Sequence, residues 1–200
     1  MNKLGKIFII IGILLITTSG SLLIYNSYKE YTAGIKSQEA LDILNTNLKD
    51  TNKTIINTEK LSNEVKEMKT TNINGYDYIG SLTIPTLNLE LPIISDYDYN
   101  KLNIAPCRYY GSVYTNDLVI CAHSYKTHFQ NIINLKQKDN IIFTDVDGFT
   151  YIYEVLEIEI LNPKEVSKMI NNDFDLTLYT CTSDGLNRIT IRCNRVKNTI

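Results

Sequence analysis

The chain has 200 residues, of which 44% are hydrophobic and 21% charged, enough for one compact domain with an appendage but hardly for two full domains. Its 20 Lys and Arg residues and 22 Asp and Glu residues give a formal net charge of -2, and no run of basic residues provides the concentrated positive face that nucleic-acid binding needs. This composition excludes nucleic acid as the expected partner.

The first predicted element is the uncharged run over residues 7–28. A helix of that length spans roughly 33 Å, enough to cross the hydrocarbon core of a bilayer. Lys3 and Lys6 precede it without acidic neighbours, so the positive-inside rule places the N-terminus in the cytoplasm and the rest of the chain outside. The small residues at 17–21 would also suit signal-peptidase cleavage, but the apolar run resumes at Leu22, which favours an uncleaved anchor.

A polar segment without proline follows, from residue 29 to about residue 75. Apolar residues recur in it at helical spacing, first at Leu41, Leu44 and Leu48. A sparser group continues the pattern: Ile55, Leu61, Val65 and Met68. The segment is therefore predicted to be a helical or flexible stalk that holds a folded domain away from the membrane.

From Tyr76 onward the apolar residues alternate with a period of two, which is typical of β-strands. Seven strands in about 120 residues favour a barrel or a sandwich. The predicted strands cover residues 79–84, 87–91, 117–122, 140–143, 150–160, 176–181 and 188–196. Short helices are predicted at 126–135 and at 163–171, where Asn162 can cap the helix and Pro163 suits its first position.

Two of the predicted strands end in chemically reactive residues. The strand 176–181 delivers Cys181 at its C-terminal end, beside a loop where a substrate can reach the thiol, and another strand runs directly into His123. A cysteine becomes a nucleophile at neutral pH when a base or cation lies beside it. Arg188 opens the next predicted strand, so a thiol, an imidazole and a guanidinium each lie at a strand boundary.

Three segments together resemble the sortase family. Residues 176–196, LTLYTCTSDGLNRITIRCNRV, resemble the sortase signature of a TLxTC strand, a short loop and an arginine that opens the next strand. Residues 119–135, VICAHSYKTHFQNIINL, resemble the family's histidine segment, and residues 80–94, GSLTIPTLNLELPII, resemble its opening strands. The likeness covers about residues 79–196.

The resemblance implies a mainly β fold, an eight-stranded barrel with short helices, preceded here by the transmembrane helix and the stalk. It also implies cleavage of a sorting motif, often LPxTG-like, through a thioester on Cys181, followed by transfer to an amine of a cell-wall precursor or a pilin lysine. His123 would be the proton-transfer partner and Arg188 the cationic stabiliser. The expected substrate contacts flank these residues: Thr180, Ala122 and Ser124.

The predicted organisation has four parts. They are a cytoplasmic N-terminus (1–6), a transmembrane signal anchor (7–28), an extracellular stalk (29–75) and a sortase-like catalytic domain (76–200).

Three arginines lie on or near the last predicted strand: Arg188, Arg192 and Arg195. Their spacing from Cys181 predicts which of them lies closest to the thiol. If residues 176–181 and 188–196 form a hairpin, the loop between them places Arg188 directly opposite Cys181. Arg192 shares that face but lies about 13 Å farther along the strand. Arg195 should point to the other face. The spacing and the family motif therefore choose the same residue.

Two alternatives use the same residues differently. Cys121, His123 and His128 lie in one short segment, and Cys181 or Cys193 would complete a metal tetrahedron, but the spacing matches no common zinc pattern, which disfavours a metal-dependent hydrolase. A membrane-tethered module that binds an extended peptide without cutting it would not need a reactive residue at each strand boundary. Otherwise His128, on a predicted short helix, is expected to have a surface or packing role rather than a catalytic one. The remaining cysteines are expected to be inert: Cys107, Cys121 and Cys193.

Two acidic segments are candidates for calcium binding. Residues 145–148, DVDG, begin like a calcium loop but lack the later ligands, so a hairpin turn is predicted there. Glu154, Glu157 and Glu159 are compatible with a calcium site known in some sortases and equally with a solvated strand face. No cofactor is predicted, and calcium is left open.

Overall fold

The computed structural model of the chain describes residues 3–51, 67–170 and 173–196. Part of the predicted stalk, with Ile55, Leu61 and Val65, lies outside the described residues. The last residue of the helix predicted at 163–171 also lies outside them.

A single helix, α1 (Lys3–Thr51), runs through the predicted membrane span and into the predicted stalk. Its N-terminal part contains an 18-residue window with a mean hydropathy of 2.5, none of which is buried. By length and composition this part is able to cross a membrane, although a signal sequence would meet the same test.

The second half of α1 packs against the folded domain. Its buried residues recur at the spacing of an amphipathic helix: Ala33, Ser37, Ala40, Leu41, Leu44 and Leu48. Ala40, Leu44 and Leu48 share a hydrophobic cluster with the outer side of the domain, including Tyr78 and Cys121. This part of the predicted stalk is therefore a helix docked on the domain.

Nine strands follow in the described residues. They are β1 (Thr71–Ile73), β2 (Tyr76–Ile84), β3 (Leu89–Ile94), β4 (Cys107–Tyr110), β5 (Leu118–Cys121), β6 (Asn140–Asp145), β7 (Thr150–Leu161), β8 (Leu176–Cys181) and β9 (Arg188–Arg195). The connections include the short helix α2 (Val166–Ile170) and 3₁₀ segments at Pro85–Leu87, Lys101–Asn103 and Gln130–Asn134.

Eight of these strands close a barrel. The neighbours are β2, β3, β4, β5, β8, β9, β7 and β6, and pairing of β2 with β6 completes the ring. β1 adds a short hairpin strand to β2 outside the ring. The β3–β4 and β5–β8 pairs are parallel, and the other pairs are antiparallel. The predicted eight-stranded barrel is confirmed.

Closure of the barrel depends on a close backbone approach at Gly80. This residue pairs with both Ile93 and Asp145, and its φ is 149°, which favours glycine. A Cβ atom at Gly80 would lie 2.0 Å from the carbonyl oxygen of Thr144. A side chain at this position would therefore push β6 away from β2.

Alternation along β8 decides which residues face outward. Leu176 and Leu178 are buried in the barrel core, whereas Tyr179 packs with the clusters outside it. Successive strand residues point to opposite faces, so Cys181 shares the outer face with Tyr179. The thiol thus lies on the outside of the barrel wall, where β8 ends.

Several local predictions differ from the structure. β1 and β4 were not predicted because their sequences, TNI and CRYY, do not show a period of two in apolar residues. The strand predicted at 87–91 begins at Leu89, because Asn88 ends a 3₁₀ segment with a left-handed backbone. Helix 126–135 is a turn followed by 3₁₀ structure, and helix 163–171 is the five-residue α2. Met68 packs in the barrel core, so the barrel includes residues that precede Tyr76.

Candidate active site

Three adjacent strands bring Cys181, His123 and Arg188 to neighbouring positions. β5 and β8 are parallel with Cys121 opposite Tyr179, so His123, two residues beyond Cys121, reaches the level of Cys181 on the same face. β8 and β9 are antiparallel, with Cys181 directly opposite Arg188. Because adjacent strands lie about 4.8 Å apart, the three side chains start side by side.

Hydrogen bonds beyond the last strand pair fix the spacing between the histidine and cysteine segments. The backbone N–H of Ala122 donates to the carbonyl of Tyr179 at 3.2 Å, and the Thr180 hydroxyl donates to the carbonyl of Ala122 at 2.9 Å. Thr180 and Ala122 are both buried. The Thr180 hydroxyl thus links the two strands, and substrate contact by Thr180 and Ala122 stays a prediction.

His123 is half-buried among aromatic rings. Its ring lies edge-on to Tyr99 with 5.5 Å between centroids, and 4.8 Å from Tyr125. Burial lowers the pKa of His123, and the positive charge of Lys29 on α1 lowers it further. The surroundings therefore favour a neutral imidazole that is able to accept a proton.

The second histidine, His128, is fully buried. Its ring lies 5.5 Å from that of Tyr125, and burial lowers its pKa to about 4, with the nearby His123 contributing in the same direction. Among the described residues neither ring nitrogen has a well-formed hydrogen bond, although the Ala33 carbonyl weakly favours the charged form. His128 is thus a neutral packing residue rather than an accessible base.

Arg188 lies at the end of a loop with several internal hydrogen bonds, residues 182–187. The N–H of Thr182 donates to the Asn187 carbonyl at 3.0 Å, and Asp184 accepts hydrogen bonds from the Thr182 hydroxyl and from the Leu186 N–H. Arg188 Nη1 donates to the Asn187 carbonyl at 3.0 Å. Within the described part of the chain, Nε and Nη2 of Arg188 make no hydrogen bond, which leaves donors for a substrate oxygen.

Two clefts flank this row of residues. The aromatic cleft has a volume of about 200 Å³ and is lined by Tyr97, Tyr109, Asn162, Pro163, Glu165, Val166, Met169, Tyr179 and Arg188. The loop cleft has a volume of about 520 Å³ and is lined by Ser124, Gln130, Ile133, Ile160, Thr182, Ser183 and Ile189. Ser124, a predicted substrate contact, therefore lies in the loop cleft.

Three tyrosines form one wall of the aromatic cleft. Tyr97 and Tyr109 meet edge to face with centroids 5.4 Å apart, and Tyr109 meets Tyr179 in the same way at 5.5 Å. Sequence reasoning missed Tyr97 and Tyr109. The chain has 14 Tyr against 5 Phe, and this excess of tyrosine was the one sequence feature that could have pointed to an aromatic cleft. The rings come together only through the pairing of β4, β5 and β8.

The opposite wall, α2, is held in place by Arg192. Its Nη2 donates to the Lys168 carbonyl at 2.7 Å, and its Nε donates to Glu159 at 2.7 Å. Nη1 donates to the Thr177 hydroxyl at 3.0 Å, and the side chain is buried. The hydrogen bonds of this guanidinium therefore hold α2 in place, and none of them is directed to Cys181. Arg195, on the other face, donates to the Val113 carbonyl at 2.7 Å.

The other three cysteines are buried and unpaired, whereas Cys181 is partly exposed. Burial raises the pKa of Cys107 to about 12 and also raises the pKa of Cys121 and of Cys193. These thiols therefore stay protonated at neutral pH, as expected of packing residues.

Two of the groups considered as metal ligands, Asp145 and Glu159, have internal partners. Asp145 accepts backbone N–H bonds from Asp147 and Phe149, at 3.0 and 2.9 Å, within the predicted hairpin turn between β6 and β7. Glu159 pairs with Arg192. Over residues 3–51, 67–170 and 173–196, no group of three His, Cys, Asp or Glu residues is arranged to hold a metal ion.

Comparison with known proteins agrees with the barrel fold. A family model described as a Sortase domain matches residues 82–196, which is more than half of the chain. The chain belongs to the sortase family. Membership implies a transpeptidase that sorts proteins to the cell wall. Among curated proteins no match is found.

Solved sortase structures share the fold. Sortase C-1 from Actinomyces oris is 25% identical with a TM-score of 0.52, and the match covers 59% of this chain and 73% of that chain. A lid mutant of sortase A from Corynebacterium diphtheriae is 25% identical with a TM-score of 0.54, covering 80% and 96%. Sortase C1 from Streptococcus agalactiae is 23% identical with a TM-score of 0.55, covering 64% and 72%.

Proposed function

We propose that the protein is a cysteine transpeptidase in which Cys181 is the nucleophile, His123 transfers protons and Arg188 stabilises the oxyanion. The observation that carries this proposal is the side-by-side position of the three residues at the ends of β8, β5 and β9. A partly exposed thiol, an imidazole kept neutral by burial and a guanidinium with free donors are the groups that acyl transfer needs.

The reaction has two halves. Cys181 gives its thiol proton to the neutral imidazole of His123 as Sγ attacks the carbonyl carbon of the scissile peptide bond, and the oxyanion that forms faces Arg188. The C–N bond breaks as His123 donates a proton to the leaving amine, which leaves a thioester on Cys181. An acceptor amine then attacks the thioester carbon and gives a proton to His123. The C–S bond breaks, a new amide is released and Cys181 Sγ takes the proton back from His123.

The two clefts suit the two substrates. We assign the acyl part of the sorting peptide to the aromatic cleft, because Arg188 and Tyr179 line it and share the outer face with Cys181. The acceptor amine is assigned to the loop cleft, where the hydroxyls of Ser124, Thr182 and Ser183 offer hydrogen-bond partners. The peptide is expected to carry an LPxTG-like motif, and the acceptor is a cell-wall precursor or a pilin lysine.

Membrane attachment completes the proposal. The uncharged part of α1 over residues 7–28 anchors the protein in a single pass, with residues 1–6 in the cytoplasm and the catalytic domain outside. Protease added to intact cells should digest the barrel while leaving an N-terminal tag protected. A soluble, released protein as the main product would favour signal cleavage instead.

Mass spectrometry of the full-length protein in detergent, mixed with a library of LPxTG-like peptides and a lysine peptide, tests the chemistry. The expected product joins the N-terminal part of one library peptide to the amine, and Cys181→Ala gives none. Binding of a library peptide without cleavage would instead favour a peptide-binding module.

A further inference from the structure

Helix α1 contacts the loop that carries His123, here called the histidine loop (residues 123–129). The carboxylate of Glu30 accepts a 2.7 Å hydrogen bond from the backbone N–H of Lys126. One turn later, Gly34 meets Thr127: a Cβ atom built on Gly34 would lie 2.8 Å from Thr127 Cγ2 and 3.2 Å from Thr127 Cβ. The helix thus approaches the loop so closely that a larger residue at position 34 would force one of them to move.

The histidine loop passes a displacement at Thr127 on to His123 because it is internally braced. The N–H of Phe129 donates to the carbonyl of His123 at 3.3 Å, and the N–H of His128 donates to the carbonyl of Tyr125 at 2.9 Å. Phe129 is anchored in the barrel core. With one end fixed in the core and the other at β5, the middle of the loop is the part that contact with α1 can shift.

We infer that residues 30–37 of α1 are a positioning element for His123, so that the helix proposed as the membrane anchor is also a working part of the active site. Glu30 and Gly34 act through the histidine loop and touch neither substrate nor reacting atoms. This inference concerns the same site as the proposed function. Its kinetic test rests on the proposed function, whereas the disulfide test and the histidine titration do not.

The docked helix also sets the electrostatic surroundings of His123. Charged and titratable groups surround the imidazole on several elements. Lys29 comes from α1, and Tyr99 lies just before the 3₁₀ segment Lys101–Asn103. Tyr125 and His128 belong to the histidine loop, and Cys181 lies alongside on β8. Burial and the positive charge of Lys29 both lower the pKa of His123. Release of the helix removes the effect of Lys29 and therefore raises that pKa.

A disulfide bond tests the docked geometry without any activity. Disulfides have Cβ atoms about 3.5 to 4.5 Å apart. The Cβ atom built on Gly34 lies 3.2 Å from Thr127 Cβ, close to the lower end of that range. The test uses the full-length chain with Cys181→Ala, to which G34C and T127C are added. Under oxidation by oxidised glutathione the two new cysteines should form a disulfide with each other, so that two fewer thiols react with an alkylating reagent. The control pair G20C and T127C should not, since nothing lies within 4 Å of a Cβ at Gly20.

Kinetics test the coupling to His123. Gly34→Leu should lower kcat by about 10²-fold, since a displacement of about 1 Å at a reacting group has that effect. Gly20→Leu, in the exposed part of the same helix, should leave kcat unchanged. Glu30→Ala should lower kcat and Glu30→Gln should restore most of it, because the amide oxygen still accepts from Lys126. Glu39→Ala is the matched control, since Glu39 accepts from Asn74 instead.

Histidine titration provides a third readout. The chain has two histidines, so ring-¹³C-histidine NMR of the full-length protein gives two signals, and His128→Leu assigns them. Gly34→Leu and Lys29→Gln should both raise the pKa of His123. Unchanged kinetics and titration in Gly34→Leu, or failure of the G34C and T127C pair to cross-link, would overturn the inference. An inactive wild type that still cross-links and titrates as expected would count against the proposed function alone.

Discussion

Arg188 lies directly opposite Cys181 in the β8–β9 hairpin, while its Nη1 is tied to the carbonyl of Asn187 at 3.0 Å. One end of the guanidinium is thus fixed by the loop between the two strands, and the remaining N–H groups are left beside the thiol. This arrangement orients a planar donor before substrate arrives, which is the condition for strong oxyanion stabilisation.

Replacing Arg188 should therefore reduce transpeptidation without unfolding the barrel. Arg188→Ala is expected to lower kcat/KM by about 10²-fold or more, the usual effect of losing an oxyanion donor. Arg188→Lys should recover little, because an ammonium cannot keep both the loop carbonyl and the substrate in the plane of a guanidinium. Steady-state kinetics with one sorting peptide measure both. A normal rate in Arg188→Ala together with collapse of kcat in Arg192→Ala would show that the wrong arginine has been assigned.

Cys181→Ala should abolish the thioester intermediate. The matched control is Cys193→Ala, which removes a thiol that is buried and kept protonated. Trapping of the acyl-enzyme with a sorting peptide, read by intact mass, should succeed in the control and fail in Cys181→Ala. An acyl adduct that persists in Cys181→Ala but disappears in Cys121→Ala would move the nucleophile to β5.

The sequence was enough for most of the strands and for the pairing of Cys181 with Arg188 because both depend on local patterns. The choice of a barrel over a sandwich followed from the resemblance to sortases, and the place of His123 beside Cys181 depends on the long-range β5–β8 pair. Alternation predicted seven of the nine strands, and the length of the loop 182–187 predicted the pairing of Cys181 with Arg188. Fixed spacing along a hairpin leaves little freedom in register.

The walls of the clefts and the docking of α1 were not predictable in the same way. Tyr109 meets Tyr179 because the β4–β5 and β5–β8 pairs bring them together, Tyr97 packs against Tyr109, and no periodicity in the chain encodes these contacts. Similarly, the apolar spacing of Leu41 and Leu44 predicted a helix with one buried face, but not which surface covers it. Side-chain contacts between distant segments depend on tertiary packing, which propensity does not determine.

His123→Ala should reduce turnover by about 10²- to 10⁴-fold, the usual contribution of general acid-base catalysis. Thioester formation and resolution should both slow, because each half of the reaction needs a proton transfer at the imidazole. Rapid-quench measurement of the two steps checks this. The control is His128→Leu, which should keep near-normal turnover at neutral pH; the reverse pattern would contradict the assignment of His123.

His128 should instead govern the acid stability of the fold. Its pKa is about 4 in the folded state against 6.5 ordinarily, so the unfolded state binds more protons between these values. The free energy of unfolding should therefore fall as pH drops from 6.5 towards 4, by about 3 kcal/mol for this residue. His128→Leu should remove that share of the pH dependence, as measured by denaturant unfolding at pH 7 and 4.5. An equal loss in both proteins would show that other groups cause it.

Arg192 joins α2 to the strands behind it. The guanidinium reaches the Lys168 carbonyl, Glu159 and the Thr177 hydroxyl, and it also stacks over Phe174 at 5.5 Å. Since Glu165, Val166 and Met169 of this connection line the aromatic cleft, the position of that wall depends on Arg192.

Substitution of Arg192 should therefore weaken peptide binding more than it slows chemistry. Arg192→Lys keeps the charge but cannot reach all of these acceptors, so α2 should move away from the cleft. We expect KM for the sorting peptide to rise about tenfold, equivalent to about 1.4 kcal/mol of lost binding, with kcat little changed. Arg195→Lys is the matched control, because Arg195 faces the other side of the same strand and donates to Val113. Thermal unfolding of both variants separates loss of the cleft wall from general destabilisation. A fall in kcat at constant KM in Arg192→Lys would mean that this arginine acts on the reacting groups, against the division of roles between Arg188 and Arg192.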